Sequence, residues 1–219
     1  AFCEAADELE KADDFELAVH DLIKKNLAEH QRIIFNGDGY SDAWVKEAER
    51  RGLPNIRSSI EAADALTTDA AVKMYEKFGI FTRKELESRQ EIIYETYAKS
   101  INIEALTMIE MAGKQIIPAV IKYSRMLADT VNSVKAAGGD ASVESEQLHE
   151  VSTRLVSMQK SLKELRKKKK KASSIKDQRK QAFYYKDKVN TAMEKLRKPA
   201  DELEMMVDKK IWPIPTYGD

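Results

Sequence analysis

The chain has 219 residues, with Lys+Arg and Asp+Glu balanced at 37 each, so no global field draws it to nucleic acid or an anionic membrane. Charged residues make up 34%, against only 8 Gly and 5 Pro, a composition that suits long solvated helices and disfavours a β-sandwich. Cys3 stands alone, which excludes an internal disulfide and fits a reducing, cytoplasmic setting, and no signal peptide or transmembrane span is legible.

The chain opens at Ala1 within an acidic helical pattern and without an initiator Met, which reads as a piece of something larger. Its first thirty residues hold nine Asp/Glu against three Lys. Asp13 or Asp14 is placed to cap a helix whose apolar face is Phe15, Val19, Leu22 and Ile23. Arg32-Ile33-Ile34-Phe35 reads as a lone extended segment without a partner strand, followed by a tight turn or loop at Asn36-Gly37-Asp38-Gly39. Ser41 or Asp42 caps a short helix that stops at Gly52, with Pro54 barring continuation. Ser58 or Ser59 begins another brief helix, and one more, over 70–78, ends at Gly79.

Thr82-Arg-Lys-Glu85 has the form of a capping box, in which hydroxyl and carboxylate satisfy each other's backbone donors. No stop signal follows until Gly138-Gly139, which predicts a helix of roughly 50 residues and about 75 Å. Within it, Ile101 to Ile121 is apolar on more than one side, as for a helix with neighbours on several faces. Glu104, Glu110 and Lys114 interrupt it far short of a membrane span. Pro118 removes an N–H and predicts a kink near Lys114. Beyond the glycines, Leu148, Val151, Leu155, Met158, Leu162 and Leu165 alternate three- and four-residue steps, a seam for packing on a long partner helix. Ala172-Ser173-Ser174 marks a turn. Ala182, Tyr185, Val189, Met193 and Leu196 then define a third long helix, expected to bend at Pro199 and run through Leu203 to Val207. The tail from Trp212 carries two prolines that hold it extended, and aromatics (Trp212, Tyr217) suited to docking.

These patterns predict an all-α fold, a bundle of three long antiparallel helices with several short N-terminal helices. The chain divides into a short-helix segment (1–82), the long-helix bundle (83–211) and the extended tail (212–219). A helix as apolar as Ile101–Ile121 needs cover, so the tail is expected on the bundle or on a neighbouring chain. A residual apolar patch would show as self-association.

Sites for chemistry are scarce. His20, His30 and His149 lack partners at the three- or four-residue spacing that pairs zinc ligands on one helix face. Cys3 has no visible activator. Phosphate-cradling and nucleophile-elbow motifs are absent. Asn36, Asp38 and Glu47 match positions 1, 3 and 12 of a calcium loop, but Ser41 replaces the glycine that loop needs at its sixth position. Lys167–Lys171 is the loudest local signal: between Lys163 and Lys180 stand ten basic and two acidic residues. It reads first as the solvated end of a helix, where lysines favour the negative pole of the dipole, and second as a polyanion patch.

Three separated blocks resemble the C-terminal region of type III glutamine synthetases. They are His30-Gln-Arg-Ile-Ile-Phe-Asn-Gly-Asp-Gly-Tyr-Ser-Asp-Ala-Trp-Val45 with Glu47-Ala-Glu-Arg-Arg-Gly-Leu53, then Ile101-Asn-Ile-Glu-Ala-Leu-Thr-Met-Ile109, and Trp212-Pro-Ile-Pro-Thr-Tyr-Gly218. Asp38 departs from the family's NGNGYS pattern, and from 138 to 198 only a helical pattern supports the likeness.

The resemblance implies a parent enzyme that joins ammonia to glutamate. Glutamate is phosphorylated by ATP, with Mg2+ or Mn2+ offsetting phosphate charge, and ammonia then displaces the phosphate. The family's ATP, metal and glutamate motifs lie on a catalytic β-sheet upstream of Ala1. No catalytic, cofactor-binding or metal residue therefore carries over to this chain, which is expected to be inactive alone. The implied partners are that catalytic domain, joined through 1–82, and neighbouring subunits of a cytoplasmic homo-oligomer, with no membrane and no nucleic acid. Two other readings are a free-standing coiled-coil adaptor built on 148–165 and a polyanion-binding module using Lys167–Lys171.

Overall fold

A computed structural model describes residues 2–216, which fall into two compact units, Ala1–Arg57 and Ser58–Asp219. Among the described residues there are helices and turns but no strand.

In the first unit α1 spans Phe2–Leu9, α2 Phe15–Glu29 and α3 Asp42–Arg50. Asp14 is the cap of α2: its Oδ1 accepts from Leu17 N at 3.1 Å. Ser41 caps α3, accepting from Trp44 N at 3.3 Å. Gly52 ends that helix at φ +67°, in the left-handed region that suits glycine. The segment expected to be extended begins instead as a 3₁₀ turn, Gln31–Ile33, and Ile34 beyond it is extended.

The second unit opens with α4 (Ser59–Asp64), capped by Ser58, and α5 (Asp69–Lys77), capped by Thr68. At Thr82 both halves of the capping box form: Thr82 N donates to Glu85 Oε2 at 2.7 Å, and Glu85 N to Thr82 Oγ1 at 3.4 Å. From there helix runs to Ala136 as α6 (Arg83–Met111), a π turn (Ala112–Ile116) and α7 (Ile117–Ala136). Pro118 is thus accommodated by a change of winding. The Ile117 N–H reaches back five residues to Ala112 O, so the helix is wound more widely in the turn that leads into the proline.

After Gly138 (φ +80°) comes α8, Ser142–Ala172. Then follow α9 (Gln178–Tyr184), a second π turn (Tyr185–Asn190) and α10 (Thr191–Glu204), which contains Pro199. α10 closes at Glu204, three residues short of the expected end, and Val207 is buried from the turn beyond.

Residue pairs give the helix directions. Arg154 meets Glu202 and Glu164 meets Lys195, numbers that fall against each other, so the last helix runs antiparallel to α8. Along the first long helix they rise together, with Tyr94 near Ala182, Asn102 bonded to Tyr185 and Met108 near Arg197, so α10 runs parallel to α6. The seam on α8 packs inward as spaced: Val151, Met158, Leu162 and Leu165 are fully covered, with Leu148 and Leu155 partly so. Val120, Val189, Leu196 and Leu203 complete the core, and no polar or charged residue is buried among the described residues. Trp212 belongs to the same core, 7% exposed, with Ile211 and Ile214 packed beside it. Tyr217 lies outside the described residues.

Candidate interaction surfaces

The loop with calcium-like spacing is occupied by other chemistry. Arg50 donates to both Glu47 oxygens, at 2.7 and 2.6 Å, and Arg51 Nε to Oε1 at 2.6 Å. Arg51 Nη1 also reaches the carbonyl of Ile34 at 2.8 Å. Asp38 Oδ1 accepts from Tyr40 N at 2.9 Å, and Phe35 stacks on Trp44 with ring centroids 4.2 Å apart. Gly37 lies against that ring, where a Cβ would come within 2.7 Å of Phe35 Cζ. The result is a tied loop with Tyr40 fully exposed at its tip.

The hydrogen bonds from Arg50 and then Arg51 hold the Glu47 carboxyl down at about 2. A depressed carboxylate adds stability above its unfolded value near ~4.3, and that stability is lost as pH falls towards the folded value. A carbon-detected titration should therefore find Glu47 still ionised at pH ~3, and a midpoint near ~4.3 would show the tie to be absent.

In the second unit the polar cluster is one that spacing could not reveal, since its members are far apart in sequence. Arg179 donates to both oxygens of Asp64, at 2.9 and 2.6 Å, and the Tyr94 hydroxyl donates to Oδ1. The guanidinium lowers the Asp64 pKa, while burial, then the hydrogen bond to Asp64, pushes Tyr94 up to about 12. Lys186 Nζ lies 2.7 Å from Glu61, and Gln90 donates to Ala63 O at 2.9 Å. These contacts fasten α4 across α6 and α9. With its carboxylate already satisfied, Asp64 is a tether.

Among the described residues no three His, Cys, Asp or Glu side chains gather where a metal could be held. Cys3 is exposed.

The lysine run ends α8, with Lys169–Lys171 in the last turn, and Lys171 Nζ sits 5.6 Å from the Tyr184 ring centroid. Replacing all five by glutamine should cost little, since exposed charges contribute well under ~1 kcal/mol each, with Lys171 losing the most through its ring contact. Melting of the variant tests this. Failure to fold, or heparin binding by the native chain that falls steeply with salt, would instead make the run a working surface.

Apolar surface is the more prominent feature of this unit. A cleft of about 290 Å³ beside the first π turn is lined by Met108, Met111, Met158 and Leu196, with Ile214 and Pro215 at one side. Ile103 and Ile121, in the stretch expected to need cover, remain 64% and 54% exposed. No helix is long and apolar enough to cross a membrane among the described residues.

Comparison with known proteins matches residues 18–135 to the family described as "Glutamine synthetase C-terminal domain". A glutamine synthetase of Butyrivibrio fibrisolvens is 35% identical over 209 residues, covering 94% of this chain and 30% of the relative. A type-3 glutamine synthetase of Dictyostelium discoideum is 32% identical over 219 residues, covering 95% and 29%. A glutamine synthetase of Bacteroides fragilis (strain YCH46) is 30% identical over 208 residues, covering 92% and 28%. The chain spans less than a third of the length of these curated relatives.

Proposed function

Because the chain belongs to the glutamine synthetase C-terminal domain family, we propose that it is the helical, non-catalytic C-terminal region of a type III glutamine synthetase. The parent would be a cytoplasmic ATP-dependent ligase that makes glutamine from glutamate and ammonia. This region would contact the ligase's catalytic domain and neighbouring subunits of a homo-oligomer. The observation that carries the reading is the asymmetric coverage: the relatives account for over nine-tenths of this chain, which fills less than a third of each of them.

ATP and its Mg2+ or Mn2+ belong, on this reading, to the rest of the parent. Glu47, Glu61 and Asp64, each held by an arginine or lysine, do not fit a cation site, and among the described residues no three His, Cys, Asp or Glu side chains gather into one. No step of the ligase reaction is therefore drawn through this chain.

The test compares the full-length parent with the 219-residue chain. The parent should form glutamine only with ATP and a divalent cation, and the chain alone should neither do so nor bind ATP in calorimetry. Glutamyl transfer or tight magnesium-dependent ATP binding by the chain alone would overturn the assignment.

A further inference from the structure

Helices α1 to α3 lack a core of their own. Among the described residues of the first unit only Ala48 is buried. Phe2, Phe15, Leu17, Ile23, Leu27 and Ile33 are each between 54% and 91% exposed. On α2, Phe15, Val19, Ile23 and Leu27 recur at four-residue steps and so share a face. A helix of fifteen residues is marginal in water, and most helical stability in proteins comes from packing such a face. Apolar surface on the order of several hundred Å² marks an interaction site on a soluble protein.

We propose that α1–α3 dock, through the Phe15–Ile23–Leu27 face, on the part of the parent polypeptide outside this chain, at an apolar surface rimmed by lysine or arginine. The proposal rests on the reading of the parent as a longer ligase, and it separates the two units by job. Ser58–Asp219 carries its own core, whereas Ala1–Arg57 completes a core that lies elsewhere. Two observations select this occupant. More than two-thirds of each relative's length lies outside the alignment, which provides the receiving body. The segment that carries the face is also acidic, with nine Asp/Glu against three Lys in the first thirty residues. A second copy paired through the same face would set those acids against one another, and an anionic membrane would repel them, whereas a basic rim complements them.

Hydrogen exchange read by mass spectrometry, on the full-length parent and on the 219-residue chain at two concentrations, tests the proposal. Amides of residues 16–29 should exchange at least about tenfold more slowly in the parent, while amides of 144–171 behave alike in both. In the parent, the double variant Ile23→Asp with Leu27→Asp should return 16–29 to the faster rate and leave 144–171 unchanged. Equal exchange of 16–29 in parent and chain would overturn the proposal. So would protection in the chain alone that grows with concentration, which would give the face to a second copy. Glutamine formation by the same unsubstituted parent is assayed in parallel. Protection without glutamine would reject the ligase reading and keep the docking; glutamine without protection would do the reverse.

Discussion

Replacing Trp212 with alanine is expected to destabilise the Ser58–Asp219 unit by about 3–5 kcal/mol, the range for truncating a buried large aromatic. The indole is 7% exposed and shares its core with residues of α6, α7, α8 and α10. Its backbone N–H donates to Asp208 O at 3.0 Å, which fixes where the chain turns in. For a unit of this size the melting midpoint should fall on the order of 10 °C. Trp212→Phe should cost well under half as much, because the buried indole Nε1 has no acceptor among the described residues and little hydrogen bonding is lost. Melting of the alanine variant within about 2 °C of the parent chain would show that the tail contributes no packing.

Leu162→Ala is the second large effect, expected at about 2–5 kcal/mol. Leu162 is 1% exposed and faces the first π turn, its Cδ2 lying 3.6 Å from where a Gly113 Cβ would stand. The lost side chain would leave a cavity between two helices that cannot easily close. Val156, 69% exposed on the same helix, should tolerate alanine within about 0.5 kcal/mol. Denaturant midpoints that do not move with protein concentration are part of the expectation, because this seam is satisfied within one chain. If Leu162→Ala left stability intact and changed only the state of association, the free-standing coiled-coil reading would be the correct one.

Several helix starts and stops were legible because each is a local chemical event. Asp14, Ser41, Ser58 and Thr82 supply oxygens to bare N–H groups, and Gly52, Gly79 and Gly138 take the positive φ that ends a helix. The α8 seam was legible because its period is the helix's own. Three features were not. The π turns at Ala112–Ile116 and Tyr185–Asn190 add a residue to a turn without any residue type that announces it; at the first, Pro118 signalled a disturbance and left its form open. The tie between Asp64 and Arg179 joins positions 115 residues apart, and nothing local in either marks the other. Nor did the alternation of apolar residues on α2 reveal that its face would stay uncovered, since periodicity reports amphipathicity and leaves the covering partner unspecified.

The two tryptophans fall one to each unit, Trp44 stacked on Phe35 beside Arg51 and Trp212 sunk in the bundle. Each unit therefore carries its own optical probe, in contrasting surroundings: a half-covered indole near a guanidinium, and a dry one among aliphatic side chains. A chain with Trp44→Phe would emit only from the bundle, and one with Trp212→Phe only from the tied loop. The order in which the two units come apart during a single unfolding experiment can then be timed from intrinsic fluorescence, without attaching any label.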